Sequence, residues 1–247
     1  MFMIEKREGY GEDSSPLSLV KDDFYAVGVF DGMGGSGATI CKSELGNNHT
    51  KAYVASRIIC EAIEEYIKKL KDVRDMNSDG IRCAAKNRLE KEKSKYPTKT
   101  SGLRSKLLRD YPTTLAITTA LKNEDGTYSV NSYWAGDSRN YLWTTEGFYQ
   151  ISKDDLESEL DPLENLRHDG VLSNCICADR EFYINNKTIQ VEGKFVILSA
   201  TDGCFNYFAT PMYFQEVLLA GLKSSQYIED WEKKCKEEFL AVTRSWF

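Results

Sequence analysis

The sequence predicts an α+β fold in which antiparallel strands joined by short turns are covered by amphipathic helices. Two apolar runs, Phe24–Phe30 and Phe195–Ala200, each end at an Asp-Gly step, Asp31-Gly32 and Asp202-Gly203. Between them, residues 113–152 are rich in β-branched and aromatic residues broken by turn signals, the pattern of an antiparallel meander. Apolar residues at three-and-four spacing run from Val54 to Leu70 and return twice after Pro211.

Composition narrows the function before any motif is read. A chain of 247 residues with 41% hydrophobic content can bury a substantial core, as one large domain or two small ones. The net charge of −6, with no basic block against it, argues against nucleic acid as a partner. No stretch approaches the roughly 20 apolar residues of a membrane span. Charges at Glu5, Lys6, Arg7 and Glu8 fall where an export signal needs its apolar region, so a cytoplasmic protein is expected. Seven scattered cysteines, an odd number, fit reduced thiols better than a disulfide framework. Cys175 and Cys177 are too close together for ordinary zinc spacing, and no second pair follows.

Taken in order, Glu12-Asp13 stand before a Ser-Ser-Pro turn, and Lys21-Asp22-Asp23 is a turn signal. A hairpin through it lays Glu12 or Asp13 beside Asp31. The run Phe24–Phe30 reads as a strand buried on both faces. The glycines after Asp31 let backbone approach whatever the carboxylate binds, and carboxylate with carbonyl oxygen is the donor set of hard divalent cations. Residues 36–50 read as a polar loop, with His49 exposed in it, before the helix at 54–70. Residues 76–111 are strongly charged and weakly periodic, with breaks at Pro97 and Gly102; they read as two wet helices or a helix and a loop. Strands follow at 113–121 and 128–134, then Gly136-Asp137-Ser138-Arg139, then strands at 140–145 and 148–152. Residues 154–174 read as a loop with short helices over the site, and 181–191 as one or two strands. Two helices, from near Pro211 and over about 225–242, close the chain.

Glu12-Asp13, Val29-Phe30-Asp31-Gly32-Met33-Gly34-Gly35, Gly136-Asp137-Ser138-Arg139 and Thr201-Asp202-Gly203 stand in the order and approximate spacing of one family. In these motifs the chain resembles the metal-dependent serine/threonine phosphatases of type 2C, bacterial type, over nearly its whole length as a single domain, 1–247. The resemblance implies a four-layer αββα sandwich of two antiparallel sheets flanked by helix pairs. It implies a centre of two Mn²⁺ or Mg²⁺ ions, with Asp31 bridging them, Glu12 and the Gly32 carbonyl completing one, and Asp202 on the other. Asp13 is implied to hydrogen-bond the nucleophilic water, and Asp137 with Asp202 to form a weaker third site. Arg7 stands one step from where the family has its phosphate-binding arginine, a position held here by Glu8.

The implied activity is hydrolysis of phosphoserine and phosphothreonine in proteins, opposing a Ser/Thr kinase. Two cations about 3.5–4 Å apart would neutralise the phosphate dianion, activate water and stabilise the leaving oxygen. Nucleophilic-cysteine chemistry does not fit, because Cys83 and Cys175 each stand one residue too close to the next arginine, Arg88 and Arg180. One departure is larger. The family's further aspartate, which follows its last long helix and opens a closing strand, has no counterpart; Asp230 is the last aspartate and lies at the wrong end of that helix. The sequence therefore reads as C-terminally truncated relative to the family, with the closing strand missing. Expected consequences are a weak or absent second metal, reduced activity, and an unpaired sheet edge open to dimerisation. The alternative is a pseudophosphatase that binds phosphoproteins through a partial metal site.

Overall fold

The structure is a computed structural model and describes residues 1–4, 9–96, 108–157, 171–223, 225 and 227–244. In chain order come β1 (Leu17–Lys21), β2 (Phe24–Val29), α1 (Gly34–Gly37), β3 (Ile40–Ser43), β4 (Gly46–Thr50), α2 (Lys51–Lys69) and α3 (Ser78–Lys95). Then follow β5 (Leu115–Lys122), β6 (Tyr128–Ala135), β7 (Arg139–Thr144), β8 (Phe148–Gln150), β9 (Asn185–Val191), β10 (Phe195–Ala200), α4 (Asp202–Phe205), α5 (Pro211–Lys223) and α6 (Ile228–Arg244).

Two antiparallel sheets form the centre, with orders β1-β2-β5-β6-β9 and β10-β7-β8. They are joined face to face by Ala120, Val130, Leu142, Ile151 and Val191. Asn140 is buried between them; its amide donates to the Ile117 and Tyr133 carbonyls at 3.1 and 3.0 Å and to Ser132, and accepts from Ser199 at 2.7 Å. A fully satisfied polar group of this kind fixes how the sheets sit on each other. On the outer face of the larger sheet, Phe24, Ala26, Phe30 and Ile117 pack with Ile58, Ile59, Ile63 and Ile67 of α2 and Ile81 and Leu89 of α3. On the outer face of the smaller one, Tyr141 and Ala200 pack with Phe214 and Leu218 of α5 and Cys235 and Phe239 of α6. Helices thus cover both outer faces, as expected.

The hairpin expected at residues 21–23 forms, with Asp22 in the left-handed region at φ 51° and β1 and β2 in register from Leu17↔Gly28 to Lys21↔Phe24. Three readings need correction. Strand β2 buries one face completely, whereas Val27 and Val29 on the other are half-buried and Tyr25 is exposed, because the three-stranded sheet does not cover it fully. Residues 40–50 are a hairpin, β3–β4, that turns at Gly46 (φ 132°) and runs directly into α2, with Thr50 as N-cap accepting from the Tyr53 amide. His49 lies on that hairpin, half-buried and stacked on Tyr53 with centroids 4.1 Å apart. Among its described residues the charged segment forms α3, whose Ile81, Ala85, Leu89 and Glu92 are buried, so one stripe of that helix is core and not wet. Of residues 154–174, expected to form a loop with short helices, 158–170 lie outside the described residues; beside them Glu157 donates to Val171 and Ser173 to Asp155, each at 2.9 Å, pairing the two flanks. Among the described residues no helix is long and apolar enough to cross a membrane.

Candidate active site

Three carboxyl groups from separate stretches of chain meet where β2 and β10 end. Asp31 follows β2. The Ser14 amide donates to the Phe30 carbonyl at 3.0 Å, which sets Asp13 beside Asp31 across the open end of the first hairpin. Asp202 is the first residue of α4, directly after β10. The Asp31 carboxyl is hydrogen-bonded to those of Asp13 and Asp202. Burial, and then the charges of Asp13 and Asp202, push its pKa well above the carboxylate range. The pKa of Asp13 is raised too, by burial first, although hydrogen bonds from Asp31 and Thr201 and the charge of Arg57 oppose the shift. Thr201 Oγ1 supplies one of those bonds at 3.1 Å. Asp137, after the tight turn at Gly136 (φ 100°), is pushed up to about 7 by burial and then by the charges of Asp202 and Asp154.

The backbone behind Asp31 is pinned. Its carbonyl accepts from the Thr114 amide at 2.8 Å and from Thr113 Oγ1 at 2.7 Å. Gly32 bridges to Thr113, and a Cβ on Gly32 would lie 2.5 Å from the Ala52 carbonyl oxygen and 2.6 Å from that of Glu12. Only glycine permits that approach. Glu12 is oriented differently from the three aspartates. Its Oε1 accepts from Thr50 Oγ1 at 2.6 Å, and its carboxylate lies over Gly34, where a Cβ would overlap it. Its carbonyl accepts from Ser56 Oγ at 2.5 Å and from Arg57, so the first turns of α2 hold it.

The structure therefore joins Asp13, Asp31 and Asp202, sets Asp137 beside Asp202, and places Glu12 on the α2 side of the glycine loop. Arg7 lies outside the described residues. Several contributors were not anticipated from the sequence. Asp155 accepts from the Gly136 amide at 3.0 Å and from Asn174 and Asn185 at 2.7 and 3.0 Å, fixing the turn that carries Asp137. Arg139 pairs with Asp154 at 2.7 Å and stacks 4.0 Å over the Phe205 ring, tying β7 to α4 and so to Asp202. Arg57 donates to the Gly11 carbonyl at 3.0 Å. The tandem Asp154-Asp155 was the only available signal, and nothing in its spacing marks it.

The donor set fits a hard divalent cation. Carboxyls of like charge crowd together with hydrogen bonds and the charge of Arg57 to relieve them, and oxygen is the ligand such cations take. Among the described residues no three His, Cys, Asp or Glu groups are spaced as ligands around a common point. The aspartates touch one another instead, so metal entry requires that shared protons leave and the side chains part.

No family model matches the chain, and no curated protein matches it. Solved structures do. The serine/threonine phosphatase PstP/Ppp of Mycobacterium tuberculosis superposes with a TM-score of 0.62 at 16% identity, over 97% of this chain and 88% of that one. Stp1 of Staphylococcus aureus, a serine/threonine phosphatase, gives 0.65 at 15% identity, over 97% and 87%. The PstP catalytic domain in complex with two manganese ions gives 0.60 at 16% identity, over 97% and 88%. The chain has the fold of these phosphatases, as the motifs implied.

Proposed function

We propose that this chain is a metal-dependent hydrolase of phosphoserine and phosphothreonine in proteins. The observation that carries the reading is the junction of Asp13, Asp31 and Asp202, three carboxyls from three elements at one end of the two sheets, the first two with their pKa raised by burial. Its likeness in fold to the phosphatases, one of them holding manganese, supports it. Manganese or magnesium, when bound, would supply charge neutralisation at the phosphate and an activated water.

Asp31 and Asp202 would hold the metal between the ends of β2 and β10. Glu12, with the Gly32 carbonyl, would serve a second ion on the α2 side, and Asp137 a third position beside Asp202. Asp13, which accepts from Thr201, would hydrogen-bond the attacking water and take its proton. Arg7, near the start of the chain, would hold the substrate phosphate. Phosphorylated proteins are the substrates, a Ser/Thr kinase the opposing activity and the cytoplasm the site of action. β10 is an edge strand among the described residues, so a second copy could pair with it.

The test is hydrolysis of p-nitrophenyl phosphate and of a phosphothreonine peptide with and without Mn²⁺, alongside a count of bound metal. Turnover that requires the metal is the expected result. Undiminished turnover in excess chelator overturns the metal mechanism. Metal and phosphopeptide binding without turnover would establish the pseudophosphatase instead.

A further inference from the structure

Cys175 and Cys177 take no part in the chemistry above, yet they are built differently from the other cysteines. They flank Ile176, which donates to the Thr113 carbonyl at 3.0 Å and accepts from the Thr113 amide at 2.9 Å. Residues on either side of an extended position share a face, and Cys175 donates its S–H to the Cys177 sulfur. The backbone N–H groups of Asp179 and Arg180 are directed at the same sulfur as the chain bends past it. Cys41, Cys60, Cys204 and Cys235 are pushed up by burial, as inert structural thiols are, and Cys175 is raised by donating to its neighbour. Of the six cysteines that are not exposed, Cys177 is the one drawn toward thiolate. It also lines a cavity of about 450 Å³ whose wall carries Lys86, Lys93 and Arg180 beside Glu90, Asp179 and Glu181, room enough for a small uncharged oxidant.

We propose that Cys175 and Cys177 form an oxidisable dithiol, with Cys177 the sulfur that attacks a hydroperoxide and Cys175 the thiol that resolves it. The Cys177 thiolate attacks one peroxide oxygen and the O–O bond breaks. The departing oxygen takes a proton and leaves as water or alcohol, and Cys177 becomes a sulfenic acid. The Cys175 sulfur then attacks the Cys177 sulfur. An S–S bond forms, the S–O bond breaks, and the hydroxyl leaves as water with the Cys175 proton. Two electrons pass from the dithiol to the peroxide, and a dithiol reductant reverses the change.

The disulfide is felt at the acidic site through the backbone. Alternate residues of extended chain lie about 6.6 Å apart at Cα, near the upper end of the disulfide range, and their Cβ atoms must close to about 3.8 Å. Closure therefore bends the chain at Ile176 and pulls on its two bonds to Thr113. Thr113 is the residue whose hydroxyl donates to the Asp31 carbonyl and which bridges to Gly32. This coupling rests on the metal-dependent hydrolase reading; the thiol chemistry does not.

The experiment treats reduced protein with stoichiometric hydrogen peroxide, blocks free thiols and digests with trypsin. The peptide 168–180 carries Cys175, Cys177 and no other cysteine. It is expected to lose two hydrogens and to regain them with dithiothreitol. In Cys175→Ser, a dimedone adduct should form on Cys177; in Cys177→Ser, and in Cys177→Ala should serine disturb folding, neither product should form. Mn²⁺-dependent turnover should fall about tenfold on oxidation and return on reduction, the loss typical of disturbing a group behind a metal ligand. An unchanged 168–180 peptide in protein whose exposed Cys83 is oxidised overturns the dithiol. A complete disulfide with undiminished turnover overturns the coupling. Absence of turnover before oxidation counts against the hydrolase reading alone, and the peptide result stands by itself.

Discussion

The two helix pairs hold the two sheets to different degrees. Against the five-stranded sheet, Ile58, Ile59, Ile63 and Ile67 of α2 are wholly buried, and β5 is buried at every position from Leu115 to Ala120. Against the three-stranded sheet, β10 is half-exposed from Phe195 to Ser199, and an apolar cleft of about 320 Å³ remains between it and β2, lined by Val27, Val29, Ile197, Leu198, Trp231 and Phe239. The acidic cluster straddles the boundary. Asp13 and Asp31 belong to the tightly packed half and Asp202 to the looser one, so the carboxylate with most neighbours of like charge is also the one whose backbone is most firmly held.

The largest expected effect tests that division at Asp31. Asp31→Asn keeps volume and removes charge, and should lower Mn²⁺-dependent turnover by more than the roughly 100-fold upper range of outer-partner losses at metal sites. The same substitution should raise the melting temperature of metal-free protein, because a buried carboxyl repelled by Asp13 and Asp202 is gone. Turnover at the wild-type rate would show that Asp31 is not the shared ligand. A lowered melting temperature would show that its carboxyl supports the fold.

Next come two isoleucines on the two sides of the boundary. Ile59→Ala empties a fully buried position on α2 and should cost about 2–5 kcal/mol. Ile197→Ala, on half-exposed β10 beside the cleft, should cost about 1 kcal/mol, since less surface is returned to water and the site is already loosely packed. Urea unfolding of both variants measures the contrast. Equal losses would mean that the smaller sheet is packed as tightly as the larger.

The same contrast explains what the sequence made legible. The α2 stripe and the strands β5 and β6 could be read directly, because buried periodicity is written in residue type. The Asp-Gly ends of β2 and β10 could be read because each interrupts an apolar run. The β3–β4 hairpin could not: Lys42, Glu44 and Asn48 are exposed, and its strands lack the apolar alternation that marks a half-buried sheet. Asp155 and Arg139 could not be assigned either, since their partners Gly136, Asn174, Asn185 and Asp154 are set by tertiary folding and not by spacing. The hairpin alone left Glu12 and Asp13 as alternatives beside Asp31, and the choice is made by tertiary partners, Thr50 taking the first and Thr201 the second.

A smaller effect is expected from protons. Asp137 titrates near 3.8 when unfolded and about 7 when folded and metal-free. Between those values the folded chain holds a proton that the unfolded chain has lost, so stability falls as pH rises through that window and levels off above about 7. Metal-free protein should thus resist urea better at about pH 5 than at about pH 7.5. Asp137→Asn should flatten part of that slope. Saturating Mn²⁺ should flatten more of it, by favouring the charged carboxylates, with proton release visible when binding heats are compared in buffers of different ionisation enthalpy. A slope unchanged by either would place the titration elsewhere.

The smallest effect belongs to the wet face of α2. Glu64 with Lys68 and Glu65 with Lys69 form pairs one turn apart at 2.5 and 2.8 Å, all four side chains well exposed. Exposed pairs gain little, because water screens the charges and both side chains give up rotamer freedom to meet. If the buried isoleucine stripe alone fastens α2 to the larger sheet, Glu65→Gln with Lys69→Gln should leave the urea midpoint within experimental error, and added salt should not change that result. A clear loss of stability that salt abolishes would mean that surface charge helps to hold the helix. The tight half of the molecule would then owe part of its order to something other than packing.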